Sequence, residues 1–423
     1  MDTLLEIIHI TLTAISKAVY NYWFLIVVGI VYFLAKKIRS TNVYNIENAK
    51  SPSASLIEAV LQGIVVGIVG SLIIVILGLP VELSSYLMFL LPISLVLSLI
   101  NIRYICFSYS ASLLGVLALT FNGQTVFGIV LPDIAISISG LLALVGILHL
   151  MESLLIYFVG ADDCMPIVSK KDGRIVQGHI LQKYWPIPIA VLFATTGVAS
   201  GDTVAMPDWW PLLKTPQLIT GAFYLGLMPF VGVLGYSSVT FAEEPERRAK
   251  KTGRLLFGYS ILLIGFSIFM GENFVLSLIG LVLMSVMHEG IILLEQHHER
   301  QKDPLYTLPE QGVRIMHVIQ GGVAEKAGIR KGNIIRKIND LDIINAQHFR
   351  EVMEKKLTFL WIETENFKRE ITTHEIKAYP VGLETLDMKI LPENPRVLFK
   401  YENLSKVGIL HMLRKRYGGK GRD

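Results

Sequence analysis

The chain has 423 residues, of which 52% are hydrophobic and 17% charged, and its mean hydropathy is +0.51. Soluble domains carry about 25% charged residues, so this composition excludes an ordinary soluble protein and indicates an integral membrane protein. The net charge of +4 is too small to indicate binding to nucleic acid. The two cysteines, Cys106 and Cys164, have neither metal-ligand spacing nor the density of a disulfide scaffold, and we interpret both as unpaired.

The N-terminus is predicted to be an amphipathic helix that lies in the membrane interface over residues 1–17. Leu4, Ile8 and Leu12 recur on one side of such a helix, whereas Asp2 and Glu6 lie mostly elsewhere. These two acidic residues stand where a cleavable signal peptide would be basic, so the segment is not predicted to be one.

Residues 18–294 are predicted to form an α-helical polytopic bundle. Crossing about 30 Å of hydrocarbon takes about 20 apolar residues. Candidate spans, roughly nine in number, run over residues 18–35, 57–79, 84–101, 104–121, 134–160, 184–200, 218–241, 254–270 and 273–294. Pro186 and Pro188 would start the sixth span, because proline suits a first helical turn.

The distribution of lysine and arginine predicts the orientation of these spans. Basic residues gather in the loop after the first span, before the sixth and after the seventh, whereas residues 201–217 hold only Lys214. Basic residues concentrate in cytoplasmic loops, so the N-terminus is predicted outside and the C-terminal domain in the cytoplasm. The number of spans is the less secure part of this prediction, since residues 1–17 or a re-entrant segment would change it.

Two pairs of ionisable residues lie inside the predicted spans: His149 with Glu152, and His288 with Glu289. His149 and Glu152 are three residues apart and share one helical face. Intramembrane ionisable groups indicate a functional site by default, but hydrogen bonds between helices or contact with the headgroups explain them as simply. No metal and no cofactor are predicted.

The strongest motif begins after Asp303, where the chain becomes polar. The run GVRIMHVI predicts a strand, and GGVAEKAGIRKGNIIRKIND follows it. Gly321 and Gly322 permit a turn, Gly328 suits the C-cap of the short helix AEKA, and Asn339–Asp340 suits a turn after the next strand. This stretch resembles the PDZ domains of bacterial membrane proteins and proteases, with Val323, Asn333 and Asp340 as departures from the usual pattern. We therefore predict a small α+β PDZ domain over residues 303–378.

The resemblance implies a peptide-binding groove between the strand at residues 312–318 and a helix at residues 346–355. A ligand strand would pair with that strand by β-augmentation. The implied groove residues are Gly312, Val313, Arg314, Ile315, Ala346, Phe349 and Met353. Glu310 lies where such a loop would bind a terminal carboxylate, so an internal segment or an exposed strand edge is an equally plausible ligand. A PDZ domain that packs only against its own membrane part is the alternative.

Residues 379–423 are predicted to be a C-terminal extension with a basic tail. Its basic residues, which suit an anionic lipid surface or a solvated tail equally well, are Arg414, Lys415, Arg416, Lys420 and Arg422.

The chain is not predicted to be an enzyme. An intramembrane metalloprotease needs two histidines at i and i+4 with a glutamate as base, but Ile292 stands where the second histidine would follow His288-Glu289. No nucleophile motif or phosphate-binding loop occurs either.

The layout of many spans followed by one PDZ domain resembles the MinJ family of Gram-positive bacteria and related clostridial membrane proteins. The resemblance implies a non-enzymatic adaptor that acts in the placement of the division site and links proteins of the DivIVA and MinD types. A protease-like or regulatory subunit of another membrane complex is the alternative.

Overall fold

The computed structural model describes residues 2–40, 50–80, 89–121, 125–126, 129–130, 136–196, 204, 206–213, 223–271, 273–379, 382–395 and 398–399. The N-terminal part contains α1 (Asp2–Val19), α2 (Tyr22–Ser40), α3 (Pro52–Leu77), α4 (Leu90–Ile100), a 3₁₀ turn (Ile102–Ile105), α5 (Phe107–Phe121), β1 (Thr125–Val126), β2 (Ile129–Val130), α6 (Ile138–Val159), β3 (Met165–Lys171), β4 (Arg174–Thr196), β5 (Phe223–Thr240), α7 (Pro245–Phe269) and α8 (Phe274–Gln301). The predicted basic tail, from Arg414 onward, lies outside the described residues.

Four of the described helices, α3, α6, α7 and α8, are long and apolar enough to cross a membrane. A fifth span results if α1 and α2, which meet at an angle of 62°, are taken together. The prediction of nine spans is therefore wrong in number. The segment predicted as an interfacial helix is helical as α1, whereas α4 has 11 residues and α5 has 15, which is short for a full crossing.

The sixth and seventh predicted spans form a β-hairpin instead of two helices. Strands β4 and β5 pair antiparallel from His179↔Thr240 to Thr196↔Phe223. A buried strand and a buried helix can show the same apolar run. Here Pro186 and Pro188 disfavour a helix interior, since a proline lacks the backbone N–H that the helix needs.

Helix α3 covers the edge of β4 that faces away from β5. The carbonyl oxygens of Pro186 and Pro188 lie so close to Gly63 and Gly67 that a Cβ added to either glycine would be 2.1 Å from an oxygen. Prolines are tolerated at a strand edge, where no ladder partner needs their N–H. Glycine is required on α3 because only a residue without a side chain permits this approach.

The next backbone donor on the same edge belongs to Ala190. Its N–H donates to Ser71 Oγ at 2.8 Å, and Ser71 Oγ donates to the Gly67 carbonyl at 2.7 Å. Both residues are buried. Helix α3 thus covers this edge of the sheet and supplies one hydroxyl partner to its backbone.

The C-terminal domain is a mixed α+β unit. It contains β6 (Tyr306–Thr307), β7 (Val313–Val318), α9 (Val323–Lys326), β8 (Ile334–Ile338), β9 (Leu341–Asp342), α10 (Ala346–Met353), β10 (Phe359–Glu365), β11 (Ile371–Lys377) and β12 (Met388–Ile390). One sheet has the order β11-β10-β8-β7-β12, with β9 paired to β8. The fully buried members of its core are Ile315, Ala324, Ile335, Ile338, Ile343, Leu360 and Ile362. The sheet extends past the predicted domain limit at residue 378, because β12 belongs to it.

This domain is docked on the hairpin that continues into the membrane part. Strand β6 pairs with β4 at Gln177↔Tyr306, and Gln177 Nε2 donates to the Met316 carbonyl at 3.0 Å. Val168, Met316 and Leu391 form a separate buried apolar cluster between the two sheets. The PDZ-like domain therefore contacts the base of β3 and β4 directly.

Candidate functional site

An open groove of about 450 Å³ lies between α10 and the segment that leads into β12. The floor of the groove is apolar and consists of Phe349, Met353, Leu386 and Met388. Its rim is polar and mostly charged, and consists of Arg350, Glu354, Lys356, Glu384 and Thr385. On the rim, the hydrogen bond from Lys356 lowers the pKa of the Glu384 carboxyl. An apolar trough with polar edges suits an extended peptide segment.

The wall of this groove is not the strand that the sequence indicated. β12 pairs antiparallel with β7 at Met388↔Val318 and Ile390↔Ile315, and Leu391 N–H donates to the Arg314 carbonyl at 2.8 Å. The chain's own segment thus occupies the edge of β7 that was expected to receive a ligand strand. The Ile319 N–H donates to the Asp387 carbonyl at 2.9 Å, so the backbone groups of the next residue, Met388, face away from β7.

The structure places two of the seven predicted groove residues at the groove and the other five away from it. Phe349 and Met353 line the groove. Val313, Ile315 and Ala346 belong to the domain core. Gly312 has a φ of 84°, which favours glycine, and Arg314 bonds the carbonyls of Thr307 and Gly332 at 2.6 and 2.8 Å. A binding role stays a prediction for all seven, and only the first two have side chains at the groove.

A second cluster of polar groups lies among the apolar helices, and it unites residues from distant parts of the chain. Cys106 Sγ is 3.2 Å from His149 Nε2 and 3.6 Å from His288 Nε2. Glu152 Oε2 is 3.8 Å from His149 Nε2. His149 and His288 are buried, and Cys106 is partly buried. The three residues have the ligand atoms of a possible metal site, since these atoms all lie within 4.8 Å of one another.

The fourth predicted intramembrane residue, Glu289, points to different partners. It forms an ion pair with Arg103 at 3.0 Å and accepts a hydrogen bond from the Tyr109 hydroxyl at 2.6 Å. The structure therefore brings together His149, Glu152 and His288, while Glu289 is engaged beside them.

Sequence reasoning missed Cys106. It is separated by 43 residues from His149 and by 182 from His288, so no local spacing could reveal the cluster. The available signal was weaker: a cysteine and two histidines, all in apolar surroundings, within a bundle of a few helices.

A model of the PDZ domain family matches residues 264–358. The match begins within α7 and ends before β10, whereas the folded unit begins at β6 and closes with β12. The apolar helices and this match define a membrane protein that carries a PDZ domain.

The cell division topological determinant MinJ of Bacillus subtilis (strain 168) is 20% identical to this chain over 262 residues. The matched region covers 60% of this chain and 60% of that protein. The chain is thus similar to MinJ and carries a PDZ domain, and it matches under two thirds of the length of this relative.

Proposed function

We propose that this protein is a non-enzymatic membrane adaptor that uses the groove beside α10 to bind a partner involved in placing the division site. The observation that carries the proposal is the groove itself, which has an apolar floor at Phe349 and Met353 and a charged rim. The similarity to MinJ supports the link to division, and DivIVA-type and MinD-type proteins are the partner classes that the family resemblance implies.

The partner segment is proposed to lie along β12, in contact with α10. Backbone pairing with Met388 would hold the segment, while the apolar floor would select its side chains. This differs from the arrangement expected from sequence, because β7 already pairs with β12. The groove is proposed to face the cytoplasm, in agreement with the basic residues at 170–183, on β3 and β4, and at 247–254, on α7.

The experiment fills the groove without touching the core. Thr385 lines the groove and is exposed, so Thr385→Trp should block the trough while the domain stays folded. Thr372→Trp, at an exposed position of β11 in the same domain, is the matched control. In cells that lack the native copy, a fluorescent Thr385→Trp fusion should insert in the membrane and lose its enrichment at division sites, and the control should keep it.

Crosslinking in the same cells should capture the partner with the wild type and with Thr372→Trp, but not with Thr385→Trp. If Thr385→Trp keeps both its localisation and its crosslinked partner, recognition lies elsewhere and the adaptor role of the groove is wrong.

A further inference from the structure

The polar cluster inside the helical bundle has the dimensions of a tetrahedral metal site. Zinc–sulfur bonds of 2.3 Å and zinc–nitrogen bonds of 2.0–2.1 Å place the sulfur and nitrogen ligands of such a site about 3.5 Å apart. Cys106 Sγ is 3.2 and 3.6 Å from the two Nε2 atoms of His149 and His288. These two sulfur–nitrogen distances agree with those of a zinc site to within a few tenths of an ångström.

The hydrogen bonds made by the Nδ1 atoms of both histidines orient each ring with its Nε2 toward Cys106. His149 Nδ1–H donates to the Val145 carbonyl at 2.8 Å. His288 Nδ1–H donates to the Tyr109 hydroxyl oxygen at 3.1 Å, and the Tyr109 O–H donates in turn to Glu289. With Nδ1 protonated in both rings, each Nε2 directs a lone pair at the sulfur. Metal-binding histidines are typically oriented by such a hydrogen bond from the second ring nitrogen.

Charge balance favours a divalent ion with Glu152 as the fourth ligand. Glu152 Oε2 is 3.8 Å from His149 Nε2, but it is not among the three residues whose ligand atoms all lie within 4.8 Å of one another, so the Glu152 side chain would rotate toward the ion to coordinate it. One thiolate and one carboxylate neutralise a divalent cation, while the two imidazoles are neutral. The loaded site would carry no net charge, which suits an apolar bundle where isolated charges are costly.

We propose that Cys106, His149, Glu152 and His288 bind one divalent transition-metal ion of the zinc class. Four protein ligands leave no open position, and closed sites of this kind are structural. The ion would join the turn before α5 to the middle of α6 and α8, three elements that are far apart in the chain. This role is independent of the partner groove.

The direct test uses the full-length protein, purified in detergent, stripped with a chelator and reloaded with Zn²⁺ or Co²⁺. The wild type should bind roughly one ion per chain, and the Co²⁺ form should show thiolate-to-cobalt absorption. Cys106→Ser should lose that absorption, and His288→Gln should lower the bound metal several-fold. Cys164→Ser removes the other cysteine, which lies outside the cluster, and should bind metal as the wild type does.

A second measurement avoids any effect of the ligand variants on folding. In a Cys164→Ser background, Cys106 is the remaining thiol, and Zn²⁺ should slow its alkylation by a small reagent several-fold, with full recovery after chelation. An alkylation rate that is insensitive to Zn²⁺, or equal metal content in the wild type and Cys106→Ser, overturns the proposal.

Discussion

His179 is a buried histidine on β4, at the junction between the hairpin and the PDZ domain. Its side chain is 3% exposed, and its ring centroid is 6.1 Å from that of Tyr306. Burial lowers the pKa of His179 to about 3, and the positive charges of Lys331 and His317 act in the same direction. The imidazole is therefore neutral in the folded protein at ordinary pH.

This burial predicts loss of stability in mild acid. The unfolded chain binds a proton at His179 near pH 6.5, whereas the folded chain resists it down to about pH 3. The contribution of His179 to the free energy of unfolding is thus complete above pH 6.5 and falls as the pH decreases toward 3, by about 2 kcal/mol at pH 5. Thermal unfolding of the purified protein between pH 7.5 and 5 should show a steep decrease, which His179→Gln flattens.

The exposed His297 supplies the control for this measurement. His297→Gln should leave the pH dependence as in the wild type. An unchanged slope in His179→Gln would mean that other groups cause the acid sensitivity.

Individual site residues could be predicted from sequence only where they are close along the chain. The spacing of His149 and Glu152 placed them on one helical face, and the structure has them 3.8 Å apart. The approach of Cys106 and His288 depends on how α5, α6 and α8 pack, which no local pattern encodes. Glu289 follows His288 directly, yet it turns to Arg103, because successive helical residues point about 100° apart.

At the scale of elements, the hairpin of β4 and β5 was the main error of sequence reasoning. Apolar length alone favoured two helices, and hydropathy does not distinguish a helix from a strand that protein covers on both sides. Pro229 was the contrary signal, because a proline in the interior of the predicted seventh span would remove a helix hydrogen bond. Pro186 and Pro188 gave no such warning, since both fitted the first turn of the predicted sixth span.

The contact between α3 and β4 yields a prediction about glycine. In Gly67→Ala the new Cβ would lie 2.1 Å from the Pro188 carbonyl oxygen, which is much closer than van der Waals contact allows. Backbone atoms cannot move aside easily, so the variant should lose about 1–3 kcal/mol. Gly258, on α7, has no atom within 4 Å of an added Cβ, and Gly258→Ala should be neutral or stabilise by up to about 1 kcal/mol.

The two variants can be compared by heating the detergent-solubilised protein and following tryptophan fluorescence, since Trp185 is fully buried beside this contact. Equal melting temperatures for the two variants would contradict the close packing of α3 on β4.

Sequence reasoning also located the strand and helix of the PDZ domain but not its last strand. GVRIMHVI is β7 and the predicted helix is α10. β12 comes some 70 residues after the strand it pairs with, and its three residues are too short a run for their alternation to indicate a strand. Long-range pairing of a short strand depends on the folded surface that receives it, so the occupied edge of β7 could not be foreseen.

At the scale of the whole molecule, the two faces of β7 connect the PDZ core to the membrane part. Val313 and Ile315 point into the domain core, whereas Met316, 1% exposed, packs on the opposite side against Val168 and Leu391. Met316→Glu would bury an unpaired charge in this junction at a cost on the order of 3 kcal/mol or more. The PDZ domain should separate from the hairpin while its own core remains folded.

Trypsin provides the measurement, because Arg300, at the end of α8, and Lys302, directly after it, are exposed. Met316→Glu should speed cleavage at this junction and release an intact C-terminal fragment. Trp361→Glu, at a half-exposed position on the outer face of β10, should be cleaved like the wild type. Similar cleavage rates in the two variants would show that the junction does not depend on Met316.

The pairing of β6 with β4 also determines how a bound partner would be presented. Only residues 302–305 separate α8 from β6, and β6 is then fixed to a strand that continues along α3. A domain held in this way keeps a fixed orientation relative to the hairpin, unlike a domain on a long flexible linker. A partner that is itself attached to the membrane would then meet this domain within the plane of the membrane. Its binding segment would have to lie at the same distance from the membrane as the groove, and a segment of suitable sequence at another distance would not bind.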